Sequence, residues 1–184
     1  MSRAEAPMTR QITPLDAYLR MAENNAWANA TLYEAARRLP DTDATRSAPG
    51  FFPTLTATLN HIYEVDLYYV DALEAGGLGR RVYAREEELS LAKLAEEQAS
   101  VDARLIAFCT TLTVEQLSES RATERRDMTT EETVQALLLH LFQHQVHHRG
   151  QAHVQLQALG VAPPQLDEFH LSFDRAPSAE IYWT

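Results

Sequence analysis

What most constrains this chain is that its apolar residues recur at helical spacing in four long runs, each bounded by start and stop signals, while strand-like alternation is nearly absent. The first run opens on Thr13-Pro14, a helix cap followed by proline at the first helical position. It continues through Leu15, Leu19, Met21, Ala26, Trp27, Ala30, Leu32 and Ala35, which predicts a helix from about Pro14 to Arg38, ended ahead of Pro40. A polar loop over 41–50 leads to FFPTLTATLNHIYEVDLYYVDALEAGG. There Leu55, Leu59, Ile62, Val65, Tyr69 and Leu73 share one face, and Gly76-Gly77 stops the helix. The third run starts at Ser90 and reaches about Thr111, presenting Leu91, Leu94, Val101, Leu105, Ile106 and Phe108. The fourth opens on Thr129-Thr130-Glu131-Glu132, which reads as a capping box, and carries Val134, Leu137, Leu138, Leu141, Phe142, Val146, Leu156 and Leu159 to Gly160.

Amphipathic helices of this length must bury their apolar faces on one another. The expected fold is therefore all-α: a four-helix bundle of up-down type with one longer crossover connection, placed at 113–128. The expected organisation is a flexible N-terminus over 1–12, the bundle over 13–162, and a C-terminal extension over 163–184 packed on the bundle. A chain of 184 residues can bury such a core without disulfides, and its single cysteine, Cys109, reads as a small buried hydrophobe.

Charge narrows the function classes. The formal net charge is −10 and no basic run exceeds two residues, so nothing displaces counterions from a phosphate backbone, and nucleic acid is excluded as an expected partner. No apolar run approaches the ~20 residues that span a bilayer, and MSRAEAPMTRQITP lacks the apolar core of a signal peptide. The expectation is a cytoplasmic protein without membrane contact.

The chemistry concentrates in HLFQHQVHHRGQ, where four of the seven histidines fall within nine positions. Advancing about 100° per residue puts His148 inside the apolar stripe of the fourth helix and His144 on its edge. His140 and His147 fall toward the polar face, and His153 points away from the core. His144 and His148, four residues apart, stack on one face and can reach a common ion. His61 flanks the stripe of the second helix in the same sense and is the natural third ligand. Three neutral imidazoles without a thiolate suit one divalent ion, zinc, nickel, iron or manganese, and ligand type does not choose among them. The Glu-x-x-His pairs of di-iron bundles do not occur. Asp66, within the second apolar stripe, needs a buried partner, for which Arg149 is the candidate. No nucleophile-base pair or phosphate loop is present, so no catalytic residue is assigned; Glu64, Tyr68 and His147 are candidates to support the ligands.

NHIYEVDLYYVDAL on the second helix, HQVHHRGQ on the fourth and NNAWAN on the first together resemble the DinB-like (DinB/YfiT-like) family of metalloenzymes, in order and spacing over residues 14–160. The resemblance implies a four-helix bundle, commonly a homodimer, with one divalent metal on His61, His144 and His148. Relatives of this fold include thiol-dependent transferases and an isomerase, which implies a small-molecule substrate, a low-molecular-weight thiol as co-substrate, and transferase or hydrolase chemistry. The family name refers to induction by DNA damage, which implies a stress response. The alternative is a non-catalytic metal-binding or stress-response protein, for which metal removal would unfold the domain.

Overall fold

The computed structural model describes residues 13–166 and consists mostly of helix. Four long helices carry it: α1 (Pro14–Ala36), α3 (Leu55–Leu73), α4 (Leu91–Thr111) and α5 (Val134–Ala158), with a short α2 (Asp41–Ala44) in the first connection. The expected N-terminal segment 1–12 and residues 167–184 of the expected C-terminal extension lie outside the described residues. Among the described residues no helix is long and apolar enough to cross a membrane.

The helix starts follow local chemistry. The Asp16 carboxylate accepts from the backbone N–H and hydroxyl of Thr13, both at 2.8 Å, ahead of Pro14. Thr54 and Ser90 turn their hydroxyl oxygens back to the N–H groups of Ala57 and Lys93. The boundaries of α1, α3 and α4 thus agree with the expected ones to within about two residues at either end.

The fourth run differs. Thr129–Thr133 is a strand, β2, paired antiparallel with β1 (Ser120–Glu124), and α5 begins only at Val134, capped by the Thr133 hydroxyl on the N–H of Ala136. The expected helix start at Thr129 and the near absence of strands are corrected on this point. The reason is chemical: the partly covered side of the hairpin is built from Arg121, Thr123, Thr130 and Glu132. Thr123 and Arg125 both hydrogen-bond Glu132, so the hairpin is held by polar contacts that leave no hydrophobic alternation to read.

Two apolar clusters show how the long helices run. One joins Ala22 of α1, Val65 to Leu73 of α3, Val101 to Cys109 of α4 and Val134 to Phe142 of α5. The other joins Leu32 to Ala36, Leu55 to Ile62, Leu91 and Leu94, and Ala152 and Leu156. Moving from the first cluster to the second, residue numbers rise along α1 and α5 and fall along α3 and α4. So α1 and α5 run one way and α3 and α4 the other. α1 packs on α4 and α5, and α3 on the same two. The chain-order pattern is up-down-down-up, and the connection that must cross the molecule is the one over 74–90, between parallel α3 and α4, where a 3-10 helix forms at Gly79–Ala84. The expected crossover over 113–128 instead joins antiparallel α4 and α5 and is occupied by the hairpin.

Between the apolar clusters lies a buried polar layer drawn from all four helices: Asn25 and Asn29, Asp66, Gln98 and Asp102, Gln145 and Arg149. Arg149 does not pair with Asp66, which corrects the expected ion pair. Its guanidinium donates to Asn25, to Asn29 (2.9 Å) and to Gln145 (3.0 Å). Gln145 in turn donates to Asp66 Oδ2, as Gln98 does at 2.7 Å. Asp102 Oδ1 accepts from Asn25 (3.1 Å), Asn29 (3.0 Å) and Gln98 (3.2 Å), which closes the circuit. The link from Arg149 to Asp66 thus runs through one side-chain amide, Gln145, and the link to Asp102 through two, Asn25 and Asn29. Cys109 is buried as expected, and burial pushes its thiol up to about 12, so it is not a poised thiolate.

Candidate metal centre

Asp66 and Gln145 of the polar layer meet where α3 packs against α5, and His61 and His144 meet across the same two helices. Antiparallel packing sets residues with descending numbers on α5 against ascending ones on α3: Gln155 meets Thr58, the histidine pair meets His61, and Gln145 meets Asp66. His61, His144 and His148 are brought together, one ligand atom from each lying within 4.8 Å of the others, and among the described residues no other such cluster of His, Cys, Asp or Glu forms. The expected trio is therefore one constellation. His148 is buried, and His61 and His144 are half-buried.

The Nε2 atoms of His61 and His144 face each other at 3.0 Å. Nitrogens around a tetrahedral zinc, each at about 2.0–2.1 Å, stand about 3.3 Å apart, so the His61–His144 pair is already near that spacing, with the His148 ligand atom within 4.8 Å of both. Burial, followed by the mutual charges of the histidines, lowers His144 to about 3; burial and then the charge of His148 lower His61 to about 4. His148 is lowered too, burial first. All three imidazoles are thus neutral at neutral pH with lone pairs available, the state a divalent ion requires.

The supporting contacts are less even. His148 Nδ1 meets Gln151 Oε1 at 3.0 Å, and Gln151 Nε2 meets His147 Nε2 at 2.9 Å. His144 Nδ1 is buried with no hydrogen-bond partner among the described residues. Phe52 forms one wall, its ring 4.5 Å from that of His61 and 5.9 Å from that of His148. Gln155 holds Phe52 in place: its Nε2 donates to the Phe52 carbonyl at 2.9 Å while its Oε1 accepts from the Thr58 hydroxyl at 2.7 Å. A Cβ at Gly50 would stand 3.0 Å from that Gln155 nitrogen, tighter than an ordinary contact, so a side chain there would press on the amide that holds Phe52.

Of the remaining expected residues, His147 reaches the site through Gln151. Glu64 instead lies 3.8 Å from Arg85, and the Tyr68 hydroxyl donates to the Glu124 carbonyl at 2.7 Å. His140 is exposed and packs on Tyr69, ring centroids 4.8 Å apart. His153, expected to face away from the core, is half-covered and lines a surface groove with Val146, Arg149, Gly150, Gln165 and Leu166. Sequence reasoning missed Gln151 and Phe52. Gln151 carried a readable signal, three residues beyond His148 on the same helical face. Phe52 precedes its helix, where no period applies.

Residues 8–177 match the sequence profile of the DinB family. The chain is 26% identical to the Protein DinB of Bacillus subtilis (strain 168) over 159 residues, 83% of this chain and 91% of that protein. Its fold is similar to the crystal structure of a DinB-like protein from Bacillus cereus ATCC 10987, with a TM-score of 0.66 at 17% identity, over 82% of this chain and 95% of that one. A profile that takes in nearly the whole chain, with its three histidines gathered at one point, places this protein in the DinB family.

Proposed function

We propose that this protein binds one divalent metal through His61, His144 and His148 and is a metal-dependent enzyme, of thiol S-transferase or hydrolase type, acting on a small molecule. The observation that carries the reading is the convergence of three neutral imidazole nitrogens within 4.8 Å on the flank of a packed core. Three protein ligands leave coordination positions open, and a metal held there supplies a Lewis acid and lowers the pKa of a bound water or thiol. The chain's own part is to keep the imidazoles unprotonated by burial, to orient His148 through Gln151 and to shield one side of the site with Phe52. Two apolar clusters and the polar layer hold the helices without the histidines, which favours a catalytic over a structural metal. The cyclic packing of α1, α4, α3 and α5 supports a four-helix bundle as the architecture.

Elemental analysis of the purified protein beside a His144→Ala, His148→Ala variant tests the site: about one equivalent of metal in the wild type and none in the variant is expected, and equal content would refute it. Assaying the metal-loaded protein with low-molecular-weight thiols and a panel of small electrophiles tests the activity. No turnover at full metal occupancy would favour the non-catalytic reading.

The same family reading extends to assembly. Leu139 and Val146 stand two turns apart on α5, more than half exposed, with Val154 beside them and open space at Gly150. We propose that this face mediates a homodimer, where glycine lets a second helix approach closely. Val146→Glu is expected to convert a dimer to a monomer in sedimentation velocity, and a wild type that sediments as a monomer would dispose of the idea.

A further inference from the structure

A neutral imidazole carries one proton, and a metal can use only the nitrogen without it. His148 Nδ1 faces Gln151 Oε1 at 3.0 Å; an amide oxygen only accepts, so the proton of a neutral His148 belongs on Nδ1, leaving Nε2 as the lone pair for the site. The other end of the same amide also meets a histidine. Gln151 Nε2 stands 2.9 Å from His147 Nε2, to which it donates. In this orientation the NH2 end serves His147, which accepts on Nε2, and the oxygen serves His148; the opposite orientation would require both rings to exchange tautomers and would put the His148 proton on Nε2. The helix supplies the geometry, since Gln151 is three residues from one histidine and four from the other and so shares a face with both. His144 has no such contact among the described residues: its Nδ1 is buried and unpartnered there. Of the two candidate ligands on α5, His148 thus has a partner for its remote nitrogen, and His144, among the described residues, has none.

We propose that Gln151 is a positioning residue that fixes the tautomer of His148, with His147 acting as the anchor that fixes the amide of Gln151. This rests on the reading of His148 as a ligand, but the tautomer can be measured without metal. Ligand histidines commonly have the remote nitrogen held, and loss of such a partner typically weakens metal binding by roughly 10–100-fold.

The test uses the full-length protein, uniformly 15N-labelled and metal-free, with ring-nitrogen shifts read under alkaline conditions where the imidazoles are neutral. His148 is expected as the Nδ1–H form in the wild type, with a large Nε2–H population in Gln151→Leu and a smaller one in His147→Ala. Gln151→Glu, which keeps an acceptor, is expected to restore the Nδ1–H form. Zinc affinity, measured by competition with a chelating dye, should fall roughly 10–100-fold in Gln151→Leu and be retained in Gln151→Glu. Gln151→Met guards against a folding defect peculiar to leucine. His148 remaining wholly Nδ1–H in both Gln151→Leu and Gln151→Met overturns the proposal. So does a shifted tautomer with unchanged zinc affinity, provided His148→Ala loses zinc. If His148→Ala binds zinc as the wild type does, the ligand assignment fails, and the tautomer shift still decides the role of Gln151.

Discussion

At the scale of single residues, the site is defined by histidines that resist protonation. Burial holds His144 near 3 and His61 near 4, below the ordinary 6.5, so the folded protein binds fewer protons than the unfolded chain between those limits. The contribution is full above about pH 6.5 and is lost as pH falls toward 4 and 3. Asp102 works in the opposite sense. Burial raises it to about 6 from 3.8, so its destabilising desolvation fades over the same fall in pH. The histidine share is isolated by difference: with chelator present, His144→Ala should narrow the loss of melting temperature between pH 6.5 and 4 relative to wild type. Parallel curves for the two proteins would contradict the assignment.

At the scale of elements, the start of α5 separates two accounts of one threonine-rich segment. In the structure Thr133 is the cap and Thr129 lies in a strand four residues earlier. Thr133→Ala should therefore cost about 1 kcal/mol in chemical denaturation, the usual loss for a helix cap. Thr129→Ala, exposed in a short strand, should stay within about 0.5 kcal/mol. The reverse order would restore a helix beginning at Thr129. The hairpin escaped sequence reading because its contacts are polar, whereas α1, α3 and α4 announced themselves through burial of one face and a side-chain cap.

At the scale of the whole molecule, the polar layer ties all four long helices at one level. Arg149 and Asp66 do not touch, yet Gln145 bonds both, so their substitutions should couple. Arg149→Met is expected to cost about 3 kcal/mol, since it leaves buried acceptors and two carboxylates without their cation. In a double-mutant cycle with Asp66→Asn the two changes should depart from additivity by more than about 0.5 kcal/mol; additivity within about 0.3 kcal/mol would show that the relay carries no energy. Metal removal by chelator should leave the far-ultraviolet circular dichroism of the helices unchanged, because the apolar clusters lie on either side of the site and contain none of its histidines. Collapse of the helical signal would mark the metal as structural.

The sequence by itself determined the helical class, three of the four long helices and the identity of the convergent histidines. These follow from local rules: a period of 3.6, a cap three residues from its N–H, and two rings four residues apart on one face. Only the tertiary structure decided the direction of each helix, the position of the crossover, the separation of Arg149 from Asp66 and the pairing of Gln151 with His147 and His148. Each depends on distances between side chains that periodicity leaves free, and a buried amide can bridge or orient its neighbours without leaving any mark in the hydrophobic pattern.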